Sequence, residues 1–341
     1  MLAHATEVEA VATLRDIAAK ANVSIMTVSR VIKNSGYVNR ETRKRVEAAI
    51  EEMDYRPNEI ARSLVHSRTN NIMLIVPDIE NMFFCEMVKG TERILRQHGF
   101  QSIFADTDGQ IKLEKEFADR ALSHMVDGII FYCPRADGTY LESISGRMPT
   151  IVVDRRVQSN TVEQIYIDNK PGAARAVEYL LQNGHRRIGL IEGPENVLAN
   201  LRRREGYVSA LQKHRVPLDE RYIFAGDFSF ENGQAAFTYF SRLPDRPTAY
   251  FATNDLMALG FIQQAQDNSV VIPGDLSIIG FDNVTVSRLI SPQLTTVNNP
   301  KHRMGALAAY RLLNKLGEAV EIPKYDLVNE LVVRGSVRSI A

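Results

Sequence analysis

Residues 13–34 read TLRDIAAKANVSIMTVSRVIKN, and this stretch decides how the amino-terminal part of the chain folds. Thr13 is suited to cap a first helix, because Asp16 follows three residues later and completes a capping box. Asn22 interrupts the helical spacing of the apolar residues, and Ser24 is suited to cap a second helix. The segment therefore predicts two short helices joined by a tight turn, which is the arrangement of a helix–turn–helix.

The second predicted helix has one apolar face and one mixed face. Val28, Val31 and Ile32 recur at helical spacing and are expected to pack inward. A helix whose other face displays apolar tips, hydroxyls and cations is suited to a DNA major groove, although a helical hairpin in a larger core has the same pattern. The residues of that outer face are Ile25, Met26, Thr27, Ser29, Arg30 and Lys33.

A third helix is predicted after Asn39, within the stretch NRETRKRVEAAIEEMDY (39–55). Cations crowd its first turns, where the helix dipole disfavours positive charge. DNA phosphate would offset that cost, and a solvated charged face is the alternative. The cations are Arg40, Arg43, Lys44 and Arg45, and the predicted apolar stripe is Val46, Ala49, Ile50 and Met53.

From about residue 70 the pattern changes to short β-rich runs that alternate with amphipathic stretches. This alternation predicts parallel sheets with right-handed crossovers, and the rhythm restarts near residue 163, which indicates two lobes. Ligands in such sheets bind beyond the carboxyl ends of the strands. Clear strand candidates are NIMLIV (71–76), GIIFYC (128–133), TIVV (150–153), RIGLI (187–191), AYFA (249–252) and LSIIGF (276–281).

Composition limits the classes of function. The chain has 341 residues, 45% of them hydrophobic, and a net charge of zero, which at first argues against a nucleic-acid binder. Residues 13–68, however, hold eleven Lys and Arg against seven Asp and Glu. This excess of positive charge is modest, so we expect residues 13–68 of one chain to bind DNA weakly. A dimer that presents two such segments would be needed. Cys85 and Cys133 are expected to be buried thiols, with no disulfide framework, metal cluster or cofactor.

The amino terminus lacks the basic start and apolar run of a signal peptide, and no stretch is apolar for 18 residues. A cytoplasmic location is therefore expected. The motifs of serine hydrolases, P-loop enzymes and dinucleotide-binding enzymes are missing, so the chain is not expected to be an enzyme. The histidines at predicted helix ends or turns are expected to cap helices or lie on the surface. They are His98, His124, His185 and His214.

Residues 13–65 resemble the DNA-binding headpiece and hinge of the LacI/GalR family of bacterial transcriptional regulators. The matching words are TLRDIA, NVSIMTVSRVI, TRKRVEAAIEEMDYRPN and NEIARSL. The phrases VDGII, GHRRIGLI, PTAYFATND, IPGDLSIIGFDN and SPQLTTV, spread over residues 70–338, resemble the effector domain of that family. The resemblance implies an α/β fold class: an all-α helix–turn–helix headpiece, followed by a type-I periplasmic-sugar-binding fold with two lobes, parallel sheets and a cleft.

The resemblance also implies where the domains begin and end. It gives a disordered tail (1–12), a helix–turn–helix headpiece (13–57), a hinge helix with linker (58–69) and an effector-binding and dimerisation domain (70–341). Within that last domain, the N-lobe is expected to comprise about 70–166 and 298–328, and the C-lobe about 167–297 and 329–341.

In the headpiece, Ile25 and Met26 take the positions where the family's recognition helix chooses its operator. Both are apolar, so they are expected to contact thymine methyl groups. Arg30 matches the arginine that reads a guanine. Thr27 and Ser29 match hydroxyls that contact phosphate, and the same surface is expected to hold Lys33 and Tyr37.

The hinge is implied to contact the minor groove at the centre of the operator. Asn58 begins the matching segment, and Ala61 is small where the backbone must approach the groove floor. Leu64 corresponds to the leucine that is wedged between base steps and bends the DNA. A core leucine is the alternative, although its neighbours in the sequence are polar.

In the effector domain, we expect a cleft set of seven residues. The resemblance to ribose-binding relatives implies all of them except Phe228, which is included because an aromatic ring can pack on a sugar, and it implies a pentose or similar small polyol as the effector. Asn254 and Asp282 could instead cap the next helix, and Arg203 could pair with Glu205 or with an acid between the lobes. Purine-binding relatives share part of this set, but Val197 and Ala199 depart from their pattern. The seven residues are Phe84, Asp154, Arg155, Arg203, Phe228, Asn254 and Asp282.

The expected function is sequence-specific transcriptional regulation, with repression as the expected mode. A homodimer would read a pseudo-palindromic operator, and a small sugar or related metabolite would control its affinity; the protein would lie on the nucleoid when bound. The chain ends at Ala341 without leucine heptads, so dimers are expected in place of tetramers. The alternative is a transport-type sugar-binding receptor without a DNA role.

Overall fold

The structure is a computed structural model that describes residues 12–32, 35–55 and 68–341. It divides into two compact units, Met1–Thr69 and Asn70–Ala341. The predicted tail up to residue 11, the predicted position of Lys33, and the predicted hinge helix with Asn58, Ala61 and Leu64 lie outside the described residues. Within the described parts of the chain, no helix is both long and apolar enough to span a lipid bilayer.

In the described residues of the first unit lie three helices: α1 (Leu14–Ala21), α2 (Ile25–Ile32) and α3 (Arg40–Glu52). Thr13 and Asp16 form the capping box at the start of α1, as the sequence predicts. The Ser24 hydroxyl accepts from the Thr27 amide at 3.1 Å and so caps α2. The side chain of Asn39 accepts from the first amides of α3. Local capping therefore defines where each of these helices starts.

The three helices bury a small shared core. Ile17 of α1, Val28 of α2 and Val46 of α3 are completely buried, and each comes from a different helix. Because a headpiece of this size has little other apolar material, these contacts hold the helix–turn–helix in shape. The predicted helix–turn–helix is confirmed. The other buried members of this core are Ala18, Ala21, Val31, Ala49 and Tyr55.

The second unit contains two sheets. The first sheet is parallel, with strand order β2-β1-β3-β4-β5. Its strands are β1 (Asn71–Val76), β2 (Gln101–Asp106), β3 (Gly128–Tyr132), β4 (Thr150–Val153) and β5 (Glu163–Ile165). The helices between them are α4 (Met82–Gln97), α5 (Ile111–Arg120), which continues as a π-helical turn (Ala121–Met125), and α6 (Gly138–Ser145).

The second sheet has the order β11-β10-β9-β8-β6-β7, in which β11 runs antiparallel to β10. The strands are β6 (Ile188–Glu192), β7 (Ile223–Ala225), β8 (Ala249–Ala252), β9 (Ser277–Asp282), β10 (Thr295–Asn298) and β11 (Glu330–Val332). The helices are α7 (Lys170–Gln182), α8 (Leu198–Lys213), α9 (Phe230–Ser241) and α10 (Asp255–Asp267), with 3-10 turns at Glu220–Tyr222 and Thr285–Arg288.

The last helix, α11 (Lys301–Lys315), follows β10 of the second sheet but packs on the first. Its Met304 and Leu312 are buried in the same core as Ile72 of β1. We call the first sheet with α4, α5, α6 and α11 the N-lobe, and the second sheet with α7 to α10 the C-lobe. The chain crosses between the lobes after β5, after β10 and after α11. The predicted two-lobed α/β fold is confirmed.

Two predictions about burial are wrong. Cys85 is exposed, because α4 turns Phe83 and Met87 into the core and leaves Cys85 outward, where its thiol donates to the Ile79 carbonyl. Cys133 is half-buried. His185 is completely buried; its ring nitrogens lie 2.9 Å from the Thr248 hydroxyl and 3.1 Å from the Arg338 carbonyl. His185 therefore ties the end of the chain to the second sheet.

Helices α9 and α10 touch backbone to backbone, because both carry a glycine where they meet. A Cβ atom on Gly260 would lie 1.9 Å from the Phe230 carbonyl oxygen. A Cβ atom on Gly233 would lie 2.0 Å from the Met257 carbonyl oxygen. Neither obstacle is a flexible side chain, so any larger residue must push the helices apart.

Gly260→Ala should therefore lower the free energy of unfolding by about 1–3 kcal/mol or more, since the overlap is with backbone atoms. Chemical denaturation of the full chain measures this change. Gly146→Ala is the matched control: it ends α6, its φ is −72°, and an added Cβ would lie no closer than 3.5 Å to a neighbour. Equal stability of the two variants would contradict the close approach of the two helices.

Candidate functional site

The exposed face of α2 is the candidate DNA-reading surface. Ile25 is 44% exposed and Met26 is 66% exposed, whereas Val28 and Val31 on the same helix are buried. The Arg30 side chain is exposed, and its Nη2 lies 3.8 Å from the Met26 sulfur. The helix thus presents two apolar tips and a guanidinium group side by side, a combination that can contact thymine methyl groups and guanine acceptors.

The remaining headpiece candidates differ in accessibility. The Thr27 hydroxyl lies 2.9 Å from the Ser24 hydroxyl, so one of its hydrogen bonds is made within the cap of α2. Ser29 is half-buried. Tyr37, in the segment between α2 and α3, is 90% exposed. The exposed phenol of Tyr37 can contact the phosphate or deoxyribose groups of DNA without rearrangement of the headpiece core.

In the C-lobe, a buried ion pair lies at the carboxyl ends of the strands. Arg203 of α8 places Nη2 at 2.9 Å from Oδ1 of Asp282, the last residue of β9. Its Nη1 donates to the Thr253 carbonyl oxygen at 2.5 Å. The guanidinium carbon lies 3.9 Å from the ring centre of Phe281. Arg203 and Asp282 are 3% and 6% exposed, so the protein fixes both charges firmly.

Asp154 belongs to the same electrostatic group from the N-lobe side. It follows β4 and adopts a φ of +61°. Burial raises the pKa of Asp154 to about 7; the charge of Arg203 opposes this shift and the carboxylate of Asp282 adds to it. Asp154 of the N-lobe is therefore near enough to Arg203 and Asp282 of the C-lobe for their charges to interact.

Asn254 has a capping role, which was the open alternative. Its Oδ1 accepts from the Met257 amide at 2.9 Å at the start of α10, and its Nδ2 donates to the Phe228 carbonyl at 2.9 Å. Asp282 does not take the capping role, because it pairs with Arg203. Glu205 is not the partner of Arg203 either; it pairs with Arg202 at 2.6 Å.

The aromatic candidates lie in opposite lobes. Phe228 adopts a φ of +73°, and its ring lies over Gly193, where an added Cβ would be 2.2 Å from the ring. Phe84 is half-buried, with its ring centre 5.2 Å from that of Phe83. Arg155 donates to the carbonyl of Pro134 within the N-lobe. The structure shows no direct contact between Phe84 or Arg155 and the Arg203 pair.

Several further polar residues lie at this end of the strands, of which sequence reasoning missed Asn200 and Lys301. Asn200 accepts from the Gly193 amide at 2.7 Å and donates to its carbonyl at 2.9 Å. Asp255 is buried, and burial raises its pKa to about 8 although the Thr296 hydroxyl donates to it. Lys301 at the start of α11 is 3% exposed. Polar residues directly after or facing the predicted strand ends are the signal that could have found them.

Residues 13–58 match the family described as bacterial regulatory proteins, lacI family, and residues 177–337 match the periplasmic binding protein-like domain. The chain is 36% identical over 334 residues to the HTH-type transcriptional repressor CytR of Escherichia coli (strain K12), with 97% of this chain and 98% of that protein covered. The chain belongs to the lacI family of bacterial regulatory proteins. The resemblance inferred from the sequence is thereby confirmed.

Solved structures of lacI-family members support this family assignment. The lac repressor dimer bound to operator and the anti-inducer ONPF has a TM-score of 0.82 and 26% identity, covering 96% of this chain and 100% of that chain. A LacI family transcriptional regulator from Enterococcus faecium with bound ribose has a TM-score of 0.70 and 30% identity, covering 80% and 100%. This lacI-family protein is thus a DNA-binding transcriptional regulator with a metabolite-binding domain, and the transport-receptor alternative is disfavoured.

The raised pKa of Asp154 makes stability depend on pH. An unfolded aspartate ionises near its model value of 3.8 and the folded one at about 7, so folding favours the protonated form between these values. This contribution to stability is present in acid and disappears as the pH rises through about 7. Asp154→Asn should flatten the fall in unfolding free energy between about pH 4 and pH 7, measured by urea denaturation, whereas Asp267→Asn, exposed at the end of α10, should leave it unchanged.

Proposed function

We propose that this protein is a homodimeric repressor that reads a pseudo-palindromic operator with α2 and changes its operator affinity when a small sugar, first of all a pentose, occupies the cleft between the lobes. The observation that carries the DNA part is the face of α2, where Ile25, Met26 and Arg30 are exposed while the helix is held from behind by Val28 and Val31. Such a face has no role in the headpiece core.

The effector part is supported by the charges at the strand ends. Two carboxylates, Asp154 and Asp282, and one guanidinium group, Arg203, come from both lobes and can hydrogen-bond vicinal hydroxyls. A phosphate or other anion would meet two acids there, so an uncharged polyol fits better. The lacI-family relative from Enterococcus faecium is a precedent for ribose.

A dimer is part of the proposal, because residues 13–68 carry only a small positive excess and two headpieces must act together. We place the protein in the cytoplasm, on the nucleoid when bound to DNA. Leu64 remains our candidate for the minor-groove wedge, and Asn58 and Ala61 for hinge contacts. We assign no catalytic activity.

The proposal is tested by selecting duplexes from a random DNA pool with the full chain. Enrichment of an inverted repeat supports it, and failure to enrich any sequence refutes the DNA part. Thermal-shift screening of sugars and nucleosides then tests the effector part. A hundredfold excess of a true effector over its dissociation constant stabilises the folded state by about 2.7 kcal/mol. Stabilisation by nucleosides alone would refute the pentose assignment.

Arg30→Ala should weaken binding to the selected operator by about 1–3 kcal/mol and relax base preference at one position of each half-site, because it removes bidentate hydrogen bonds to a base. Fluorescence anisotropy with single-base operator variants measures both effects. Lys44→Ala is the contrast: it removes an exposed cation of α3 that we propose contacts phosphate, so it should weaken binding to all sequences equally. Arg30 is not a base-reading residue if Arg30→Ala behaves like Lys44→Ala.

Asp282→Asn should remove the thermal shift produced by the effector while operator binding persists, because the amide cannot accept from Arg203 as a carboxylate does. The melting temperature without effector is measured in parallel, since an unpaired buried guanidinium group also destabilises the fold. A normal effector shift in Asp282→Asn would exclude Asp282 from the binding site.

A further inference from the structure

A nearly buried carboxylate joins the two lobes next to the cleft. Glu86 lies on α4 of the N-lobe, and its side chain is 15% exposed. Its Oε1 accepts from both the amide and the hydroxyl of Thr285, each at 2.7 Å. Thr285 begins the 3-10 turn between β9 and β10 of the C-lobe. One carboxylate oxygen thus accepts two hydrogen bonds from the opposite lobe.

The second oxygen of Glu86 connects to the cleft through Lys301. The Nζ atom of Lys301 lies 3.2 Å from Oε2 of Glu86. It also donates to the carbonyl oxygens of Asp282 and Asn283 at 2.7 and 2.8 Å. An ammonium group has three protons, so these three acceptors satisfy it completely. Lys301 therefore ties the end of β9 to the N-lobe helix α4.

The backbone that Lys301 holds is an unusual one. Asp282 has a φ of +106° and Asn283 a φ of +52°, both in the region that favours glycine. Such backbone conformations are strained in residues other than glycine and persist because their surroundings hold them. Arg334 donates to Oδ1 of Asn283 at 2.7 Å, and Lys301 of the N-lobe donates to the backbone carbonyls of both residues. The position of the Asp282 carboxylate thus depends on Lys301.

We propose that Glu86 and Lys301 form an interlobe latch: they hold the lobes in the arrangement seen here and position Asp282 for the effector. The link to the effector rests on the proposed function, because it requires that Asp282 contacts the sugar. The latch itself rests on the contacts alone. A shift of the lobes that separates Glu86 from Thr285 also releases the backbone of Asp282, so lobe arrangement and cleft geometry change together.

The latch differs in kind from the surface ion pairs of this protein. Glu92 and Arg96 on the same helix are 2.8 Å apart, but their side chains are 36% and 74% exposed, and such pairs contribute little. The side chain of Lys301 is 4% exposed. Burial raises the pKa of Glu86, but the hydrogen bonds from Thr285 and the charge of Lys301 outweigh it and hold that pKa below its usual value. His302 lies at the open edge, 3.6 Å from the same carboxylate.

The latch is tested by amide hydrogen exchange on the full chain with no ligand added. Glu86→Ala should speed exchange at Thr285 and in residues 283–289 at least tenfold, and Lys301→Met should do so at Asn283. Thr285→Val should resemble Glu86→Ala in part, and Thr285→Ser, which keeps the hydroxyl, should restore protection. Glu92→Ala removes a charge from the same helix and should change nothing. Equal exchange in Glu86→Ala and Glu92→Ala overturns the latch.

The link to the effector is tested with D-ribose as the probe, by calorimetric titration of the same variants. Glu86→Ala and Lys301→Met should weaken ribose binding at least fivefold, while Glu92→Ala binds as the unmodified chain does. Faster exchange with unchanged ribose affinity overturns the positioning of Asp282. If the unmodified chain does not bind D-ribose, the pentose assignment fails, and the exchange measurement still decides the latch.

Discussion

The buried ion pair of Arg203 and Asp282 is the constraint on which the cleft depends. Taking both charges out of water costs several kcal/mol, and an apolar pair of similar size would often be more stable. The Thr253 carbonyl and the Phe281 ring offset part of this cost, because both contact the guanidinium group of Arg203. On the carboxylate side, Lys301 holds the backbone of Asp282. This arrangement is better explained by recognition of a polar ligand than by a contribution to stability.

Asp154 completes the charge balance of the site. Burial raises the pKa of Asp154 to about 7, and Asp282 is paired with Arg203. Arg203 thus offsets the charge of one carboxylate, and all three side chains offer hydrogen bonds. A neutral ligand with several hydroxyl groups can use both donors and acceptors here without bringing a charge of its own. This is the physical reason for preferring a sugar to an anionic metabolite.

Much of the fold could be predicted, because its signals are local. The caps at Thr13, Ser24 and Asn39 and the β-rich runs after residue 70 lie where the helices and strands begin. Exposure was misjudged at two positions: α4 turns Cys85 outward, and the distant chain end buries His185.

The candidate site could be predicted only in part, for the same reason. Arg203 and Asp282 carry family motifs, but Glu86 and Lys301 carry none. Glu86 accepts from an amide and a hydroxyl about 200 residues away in the chain. Lys301 donates to two carbonyls about 20 residues away, and no spacing rule predicts either contact. Asn254 shows a second limit, because a residue in the motif caps a helix in the structure, an alternative that the sequence left open. Only the structure shows which atoms of Asn254 these contacts leave for a ligand.

Packing explains how a change at Asp282 can reach the rest of the N-lobe. Helices α4 and α11 touch backbone to backbone: a Cβ atom on Gly90 would lie 2.3 Å from the His302 carbonyl, and one on Gly305 would lie 2.0 Å from the Met87 carbonyl. Two helices so close move as one body, since interiors are close-packed and resist deformation. Glu86 and Lys301 lie on this pair of helices, at the end that faces the cleft. Whatever moves the backbone of Asp282 therefore acts on both helices at once, and through them on β1, the strand at which the chain enters this lobe.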